Sequence, residues 1–344
     1  MLPMTDIFAF ALGISRTAKT GEPLDCYFPA PVKNPTTDLG RIIVANFKPG
    51  VTTVTPEMAR AFSNAVAQNV ADSAGLSEQL HGLSESDIAL TAVVLESDTS
   101  ITSTAEAYLK LHLLSHRLAL PNTLDLGDIF GHLPNIVWTS EGPVHLADIA
   151  ATQIEARLAG RNLEVFAVDK FPKMTNYVIP TGVRIADASR IRLGAYLGDG
   201  TTVMHEGLIN FNAGALGPNM VEGRISQGVI VGAHSDLGGS SSTMGTLSGG
   251  GAIIISIGEH CLIGANAGTG IPLGDRCTIE AGLYITAGTP VSLVDETGSE
   301  RIVKARELAG DNDLLFIRNG QTGRIECRSN RKAIELNAQL HKHN

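Results

Sequence analysis

The sequence has no Cys-x-x-Cys pair and no zinc-ligand spacing; its four cysteines, Cys26, Cys261, Cys277 and Cys327, are scattered. That pattern excludes a disulfide scaffold and reads as reduced thiols. Positive charge is short as well. Thirty-five acids face 26 bases for a net charge of -9, which argues against a nucleic-acid partner. Aromatic residues reach only 5% and charged residues 18%, against 43% hydrophobic, so a core is available and disorder is excluded. No run approaches the ~20 apolar residues of a membrane span. The opening MLPMTDIFAFALGISRT lacks the basic start and cleavage site of a secretion signal. A cytoplasmic protein without a membrane partner is expected.

Lysine is missing from Met174 to Val303, and that stretch contains 23 of the 37 glycines, between Gly182 and Gly288. Schiff-base chemistry is therefore excluded there. Phosphate-loop, HExxH and GxSxG patterns are absent too. The run Ser248-Gly249-Gly250-Gly251 lacks the strand–turn–helix context of a dinucleotide fingerprint and reads as a loop.

What is present divides the chain into an α/β domain over 1–178, a repetitive domain over 179–292 and a small β/α extension over 293–344. In the first part, Phe8–Ile14 and Arg41–Phe47 read as strands, being short and rich in Ile, Val and Phe. Thr55-Pro56-Glu57 opens a helix towards Ala74. Further helices are expected over Ser84–Glu96, Ser103–Ala119 and His145–Leu158. A leucine face (Leu109, Leu111, Leu113, Leu114, Leu118, Leu120) reads as core, and Leu163–Val168 as a buried strand.

From Val183 the period becomes six. Ile185, Ile191, Leu197, Val203, Ile209, Ala215 and Val221 hold the count, and after an offset Val231, Leu237 and Thr243 resume it. Ile257, Ile263 and Thr269 follow, then Leu273, Ile279, Ile285 and Val291. Six is neither a helical period nor a simple strand alternation. It fits a hexapeptide β-helix, a triangular prism in which aliphatic residues stack inward coil upon coil and small residues turn the corners. Met244–Ser256 and Gly268–Pro272 interrupt the rhythm and read as loops leaving the prism. Beyond it, a hairpin turning at Glu296-Thr297-Gly298, strands near Leu314–Ile317 and Ile325–Cys327, and a helix from Lys332 to Leu340 are expected.

One polar cluster breaks the repetition: Met204-His205-Glu206-Gly207, Asn210-Phe211-Asn212, then Val221-Glu222-Gly223-Arg224. Glu206 and Glu222 are 16 residues apart, close to one coil. A guanidinium fork binds a carboxylate bidentately, and a carboxylate among apolar walls serves as a base near neutral pH. Arg184 and Arg192 add positive charge suited to a dianion. Outward, solvated positions on a prism explain such residues equally well.

The run from Val183 to Val291 resembles the tetrahydrodipicolinate N-succinyltransferase family, in its longer actinobacterial and pseudomonad type. The carrying stretches are VMHEGLINFNAGALG, NMVEGRIS, MGTLSGGG, ISIGEHCLIGANAGTGI, TIEAGLYITAGT, VKAREL and LLFIRN. The resemblance implies a left-handed parallel β-helix, a homotrimer, succinyl-CoA as co-substrate and ring-opened tetrahydrodipicolinate as acceptor, in lysine and diaminopimelate biosynthesis. It implies that Glu222 is catalytic, as anhydride nucleophile or general base. Arg224, Gly239, Ser242, Ala265, Glu280, Ala281, Gly288, Lys304, Arg318 and Asn319 then line the succinyl-CoA groove, with Lys304 and Arg318 on the phosphates. Family members hold Mg2+ on the trimer axis. Glu206 matches one ligand position, but Ser189 stands where the second aspartate is usual, leaving Asp187 as substitute.

The fold alone does not decide the function. A γ-class carbonic anhydrase needs a zinc-binding histidine triad, and His205, His234 and His260 show no such arrangement. The remaining alternatives are an acyl-CoA N-acyltransferase acting on another amino acid or amino sugar, and a non-catalytic β-helix assembly protein.

Overall fold

The computed structural model describes residues 7–71, 74–85, 88–245, 254–295 and 297–329. The chain forms two compact units, the first mostly residues up to 178 and the second mostly residues from 179 onward.

The first unit is built on an antiparallel sheet of β1 (Ala9–Thr17), β2 (Pro23–Tyr27), β3 (Val32–Lys33), β4 (Gly50–Val54) and β5 (Leu90–Leu95). Helices α1 (Thr37–Asn46), α2 (Pro56–Asn69) and α3 (Ala74–Ser84) complete a core centred on Phe10, Phe47 and Phe62, whose rings lie 4.9–5.5 Å apart. Helix α2 starts as the sequence requires, with Thr55 accepting from the Met58 N–H and proline in the first turn.

Helix α4 (Thr104–Ser115), capped by Ser103, packs on β1, β2 and β5 and is buried all round from Ala107 to Ser115. Two of its buried polar side chains, Lys110 and His112, are hydrogen-bonded. Lys110 donates to the Asp98 carboxylate (2.6 Å) and to the Thr99 and Asp125 carbonyls. His112 donates through Nδ1 to the Tyr108 carbonyl (2.7 Å) and accepts the Phe28 N–H at Nε2 (3.3 Å). A short helix α5 (Ile129–His132), strands β6 (Ile136–Thr139) and β7 (Gly142–His145), helix α6 (Ile149–Leu158) and strand β8 (Val165–Asp169) follow, in sheet order β7-β6-β8.

Five expectations need correction here. Arg41–Phe47 is not a strand but the second half of α1. β-branched Ile42, Ile43 and Val44 imitate strand composition, while Thr36 caps the helix and Leu39 and Ile43 bury one face at four-residue spacing. Ser84–Glu96 is not a helix: α3 stops at Ser84 and Leu90–Leu95 is an inner strand, whose near-continuous apolar run carries no clear period. His145–Leu158 is helical only from Ile149, because Gly142–His145 pairs with β6. Strand β8 is exposed rather than buried, with Phe166 54% accessible at the sheet's edge. In the leucine face, Leu109–Leu114 are core, whereas Leu118 and Leu120 lie past the helix end and are exposed.

The second unit is a parallel β-helix. Its first face stacks Arg184–Ile185, Thr201–Val203, Asn219–Val221, Asp236–Leu237, Leu262–Ile263 and Thr278–Ile279. Its second face stacks Leu208–Ile209, Arg224–Ile225, Ser242–Thr243, Gly268–Thr269 and Tyr284–Ile285. The third stacks Ala195–Leu197, Ala213–Ala215, Ile230–Val231 and Ser256–Ile257. Pairing is parallel and in register, as in Val203↔Val221 and Ile263↔Ile279. Every inward residue of the six-period is buried from Ile191 to Val291.

Both irregularities have a simple form. The offset after Val221 is a corner of four residues to Ile225, a short step that recurs from Thr269 to Leu273, where most corners take six. The break expected at Gly268–Pro272 is no excursion: Gly268 and Thr269 stay in register, and Thr269 Oγ1 closes the turn by donating to the Ile271 carbonyl (2.7 Å). The Met244–Ser256 loop falls mostly on residues 246–253, outside the described residues, as does the expected C-terminal helix.

After the last coil, Pro290–Val294 and Glu300–Lys304 form the expected hairpin. Leu314–Arg318 then returns to add a parallel rung beside Thr278–Ile279, burying Phe316 completely, and Ile325–Ser329 pairs antiparallel to it.

Candidate active site

The corner between the first and second faces collects most of the expected site residues. Val221 points inward, so Glu222 turns out at the corner, and Arg224 begins the next face with its side chain exposed. Backbone bonds build a column above Glu222. Its carbonyl accepts from Ser240 N, the Gly239 carbonyl from Asn266 N, and the Ala265 carbonyl from Gly282 N. Glu222, Gly239, Ala265 and Ala281 thus occupy one edge of the prism on successive coils. Arg318 crowns it, donating its N–H to Glu280 Oε2 at 2.7 Å.

The small residues keep this edge smooth. A methyl on Gly239 would lie 3.7 Å from Glu222 Oε2, so the bare backbone of Gly239 faces that carboxylate directly. Gly223 has the opposite reason to be glycine: a Cβ there would fall 2.6 Å from the Ser241 carbonyl oxygen. The Ser241 hydroxyl beside it is buried without a hydrogen-bond partner. Glu222 is half-buried and Arg224 exposed. Among the described residues neither the carboxylate nor the guanidinium has a side-chain partner, although two positions separate them. Both charges are left for a ligand.

The second face continues the site sideways. Leu208, Arg224, Ser242, Gly268 and Tyr284 form its outward row, each paired with the next. Past Ile285, Gly288 turns the following corner. There the Ala287 and Thr289 carbonyls accept from Arg306 and Ala305 N–H, which brings Lys304 alongside. Lys304 therefore sits across the second face from Ala281 rather than on the Glu222 edge. Asn319 spends its side chain on its own turn, accepting from Gln321 and Thr322 N–H and donating to Glu326. Its backbone is engaged there too, the N–H donating to the Arg324 carbonyl and the carbonyl accepting from Gly323 N–H.

The remaining candidates sit lower on the prism. Glu206 lies below Glu222 on the same edge and reaches up two coils to accept from Ser240 Oγ (2.9 Å). Asp187, one coil lower again, accepts from Ser189 N and Oγ, and those bonds hold its carboxyl below the ordinary value. Among the described residues no three His, Cys, Asp or Glu side chains converge on a metal-binding point. Arg192 is tied to Asn210 (3.1 Å), and Arg184 stands at the far end of the first face. Sequence reasoning passed over Tyr284, although it follows Gly268 by 16 residues, one coil in this part of the prism.

The chain also matches known proteins along nearly its whole length. A family model described as the hexapeptide repeat of succinyl-transferase matches residues 254–287. A second, described as the middle part of tetrahydrodipicolinate N-succinyltransferase, matches residues 133–173. The chain is 55% identical over 344 residues to the 2,3,4,5-tetrahydropyridine-2,6-dicarboxylate N-succinyltransferase of Pseudomonas putida, covering 98% of this chain and 99% of that one. It is 52% identical to the Vibrio cholerae protein of the same name, with 97% and 99% coverage. A Campylobacter jejuni crystal structure described as a 2,3,4,5-tetrahydropyridine-2-carboxylate N-succinyltransferase superposes with a TM-score of 0.88 at 30% identity, over 96% of this chain and 94% of that one.

Proposed function

This chain belongs to the tetrahydrodipicolinate N-succinyltransferase family, and on that premise we propose how its left-handed β-helix moves a succinyl group from succinyl-CoA to the amino group of ring-opened tetrahydrodipicolinate. The enzyme is an acyltransferase of lysine and diaminopimelate biosynthesis. The observation carrying the mechanism is the unpaired Glu222–Arg224 couple at the foot of a smooth, glycine- and alanine-lined edge.

The edge has the length of the donor's arm. From the Glu222 coil to the Arg318 rung is four steps of ~4.8 Å, or about 19 Å. An extended pantetheine laid along Gly239, Ala265 and Ala281 brings the thioester to Glu222 and the phosphates to Arg318 and Lys304. Arg224 takes a carboxylate of the acceptor as a bidentate fork. The acceptor amine attacks the thioester carbon, a C–N bond forms and the C–S bond breaks. Glu222 takes the proton that the amine loses and delivers it to the departing thiolate.

The prism supplies one wall only, and the site residues on it are largely exposed. A homotrimer in which a neighbouring prism closes the groove completes the reading. Magnesium does not fit a single chain: Asp187 and Glu206 are the two carboxylates matched to it, and each is already held by a serine. That is well short of the six oxygen ligands the ion takes. No step of the transfer runs through it.

Glu222→Gln keeps shape and hydrogen bonding but removes basicity. It should lower kcat about 10²–10⁴-fold with CoA affinity nearly intact, measured by thiol release with succinyl-CoA and 2-aminopimelate. Retention of more than about a third of kcat refutes the role. Hydroxylamine trapping of a succinylated enzyme would replace the base by an anhydride route.

A further inference from the structure

We infer that Tyr284 is a specificity residue of this site, its ring forming the contact surface for the amide-bearing arm of the acyl donor. The inference rests on the succinyl-CoA reading above and adds a residue that the family resemblance did not supply.

Three observations place the ring in the donor's path. Tyr284 lies on the two-residue strand that joins the Glu280-Ala281 corner to the Gly288 corner, so assigned positions flank it on both sides. It is also the top of the outward row that runs down through Gly268 to Ser242 and Arg224. Finally, the ring is laid down along that row. A Cβ on Gly268 would fall 2.3 Å from Tyr284 Cε2 and 2.6 Å from Cδ2, so the ring rests on bare backbone.

A buried ring would need no further account, but this one is 42% accessible. It is the exposed Phe, Trp or Tyr side chain of the β-helix among the described residues, beside an edge lined by Gly239, Ala265 and Ala281. A flat amphipathic ring beside a smooth backbone track suits planar amides, which stack on its face while the hydroxyl stays in water. Glycine at 268 also serves the packing of the coils, since a Cβ there would fall 2.6 Å from the Ser242 carbonyl oxygen.

The test separates this contact from general disruption by donor length. Tyr284→Ala should raise the KM for succinyl-CoA about tenfold, leaving kcat within twofold and the 2-aminopimelate KM unchanged. Succinyl-N-acetylcysteamine lacks the pantoate and nucleotide and stops short of the ring, so its kcat/KM should be the same in both enzymes. Tyr284→Phe should retain most of the affinity. Equal losses with both donors, or an unmoved succinyl-CoA KM in a wild-type-like oligomer, overturn the assignment to Tyr284 alone. A wild-type enzyme that does not turn over succinyl-CoA overturns this inference together with the reading beneath it.

Discussion

Gly239→Ala adds a single methyl group at the most informative point of the edge. The backbone there is not in the left-handed region, and the new Cβ would meet nothing closer than Glu222 Oε2, at 3.7 Å. The fold therefore has no reason to object, and Tm should stay within a degree or two of wild type. The reaction does have a reason. A methyl group in ordinary contact with the carboxylate occupies the volume through which a thioester carbon and an attacking nitrogen must approach. Displacing reacting atoms by about 1 Å typically costs about 10²-fold in rate. We expect kcat to fall by that order in a continuous thiol-release assay, with melting measured on the same preparation. Gly40→Ala in α1, where a Cβ meets nothing within 4 Å, is the control for an alanine remote from the edge. If Gly239→Ala melts normally and keeps more than about a third of its kcat, the reacting groups do not meet between Glu222 and Gly239, and the proposed placement of the thioester is wrong.

Gly223→Ala should fail for the contrary reason, losing about 1–3 kcal/mol by denaturant titration because its Cβ collides with the Ser241 backbone; an unchanged midpoint would contradict the packing described. His112 makes the first unit acid-sensitive: complete burial pushes its imidazole down to about 3 from the ordinary 6.5. The unfolded chain then takes up the proton first, and stability present above pH 6.5 is lost as pH falls towards 3, by about 2 kcal/mol at pH 5. His112→Gln should remove that slope, and parallel urea titrations of the two proteins between pH 7 and 5 check it. Lys304→Ala should raise the KM for succinyl-CoA about tenfold, and an equal loss with a phosphate-free pantetheine donor would rule out a phosphate contact.

The prism was legible because its constraint is strictly local and repeated: each coil must put an aliphatic residue inside and a small one at the turn. Even the offset after Val221 was visible, though not its meaning, a four-residue corner that sets Glu222 and Arg224 on either side of one bend. The first unit was less readable. Composition reported Ile42-Ile43-Val44 as strand and Leu90–Leu95 as helix, because what decides those segments is a cap at Thr36 and partners distant in sequence, β1 and β4. Site residues that a motif fixes, such as Glu222, could be located in the sequence. Tyr284 could not, since its neighbour across the coil, Gly268, is defined only once the register is known.

The strand Leu314–Arg318 closes the open end of the solenoid, leaving Phe316 where a further coil would begin. That closure also fixes a ruler. Distance along a solenoid comes in whole coils, so the span between Glu222 and the crowning Arg318 changes only in steps of ~4.8 Å. A coil inserted or removed between Glu222 and Arg318 would leave every inward contact type unchanged and yet shift the thioester by a full step relative to the phosphates. On the proposed placement, donor length is read by counting repeats, and side-chain substitution tunes only what happens within each step.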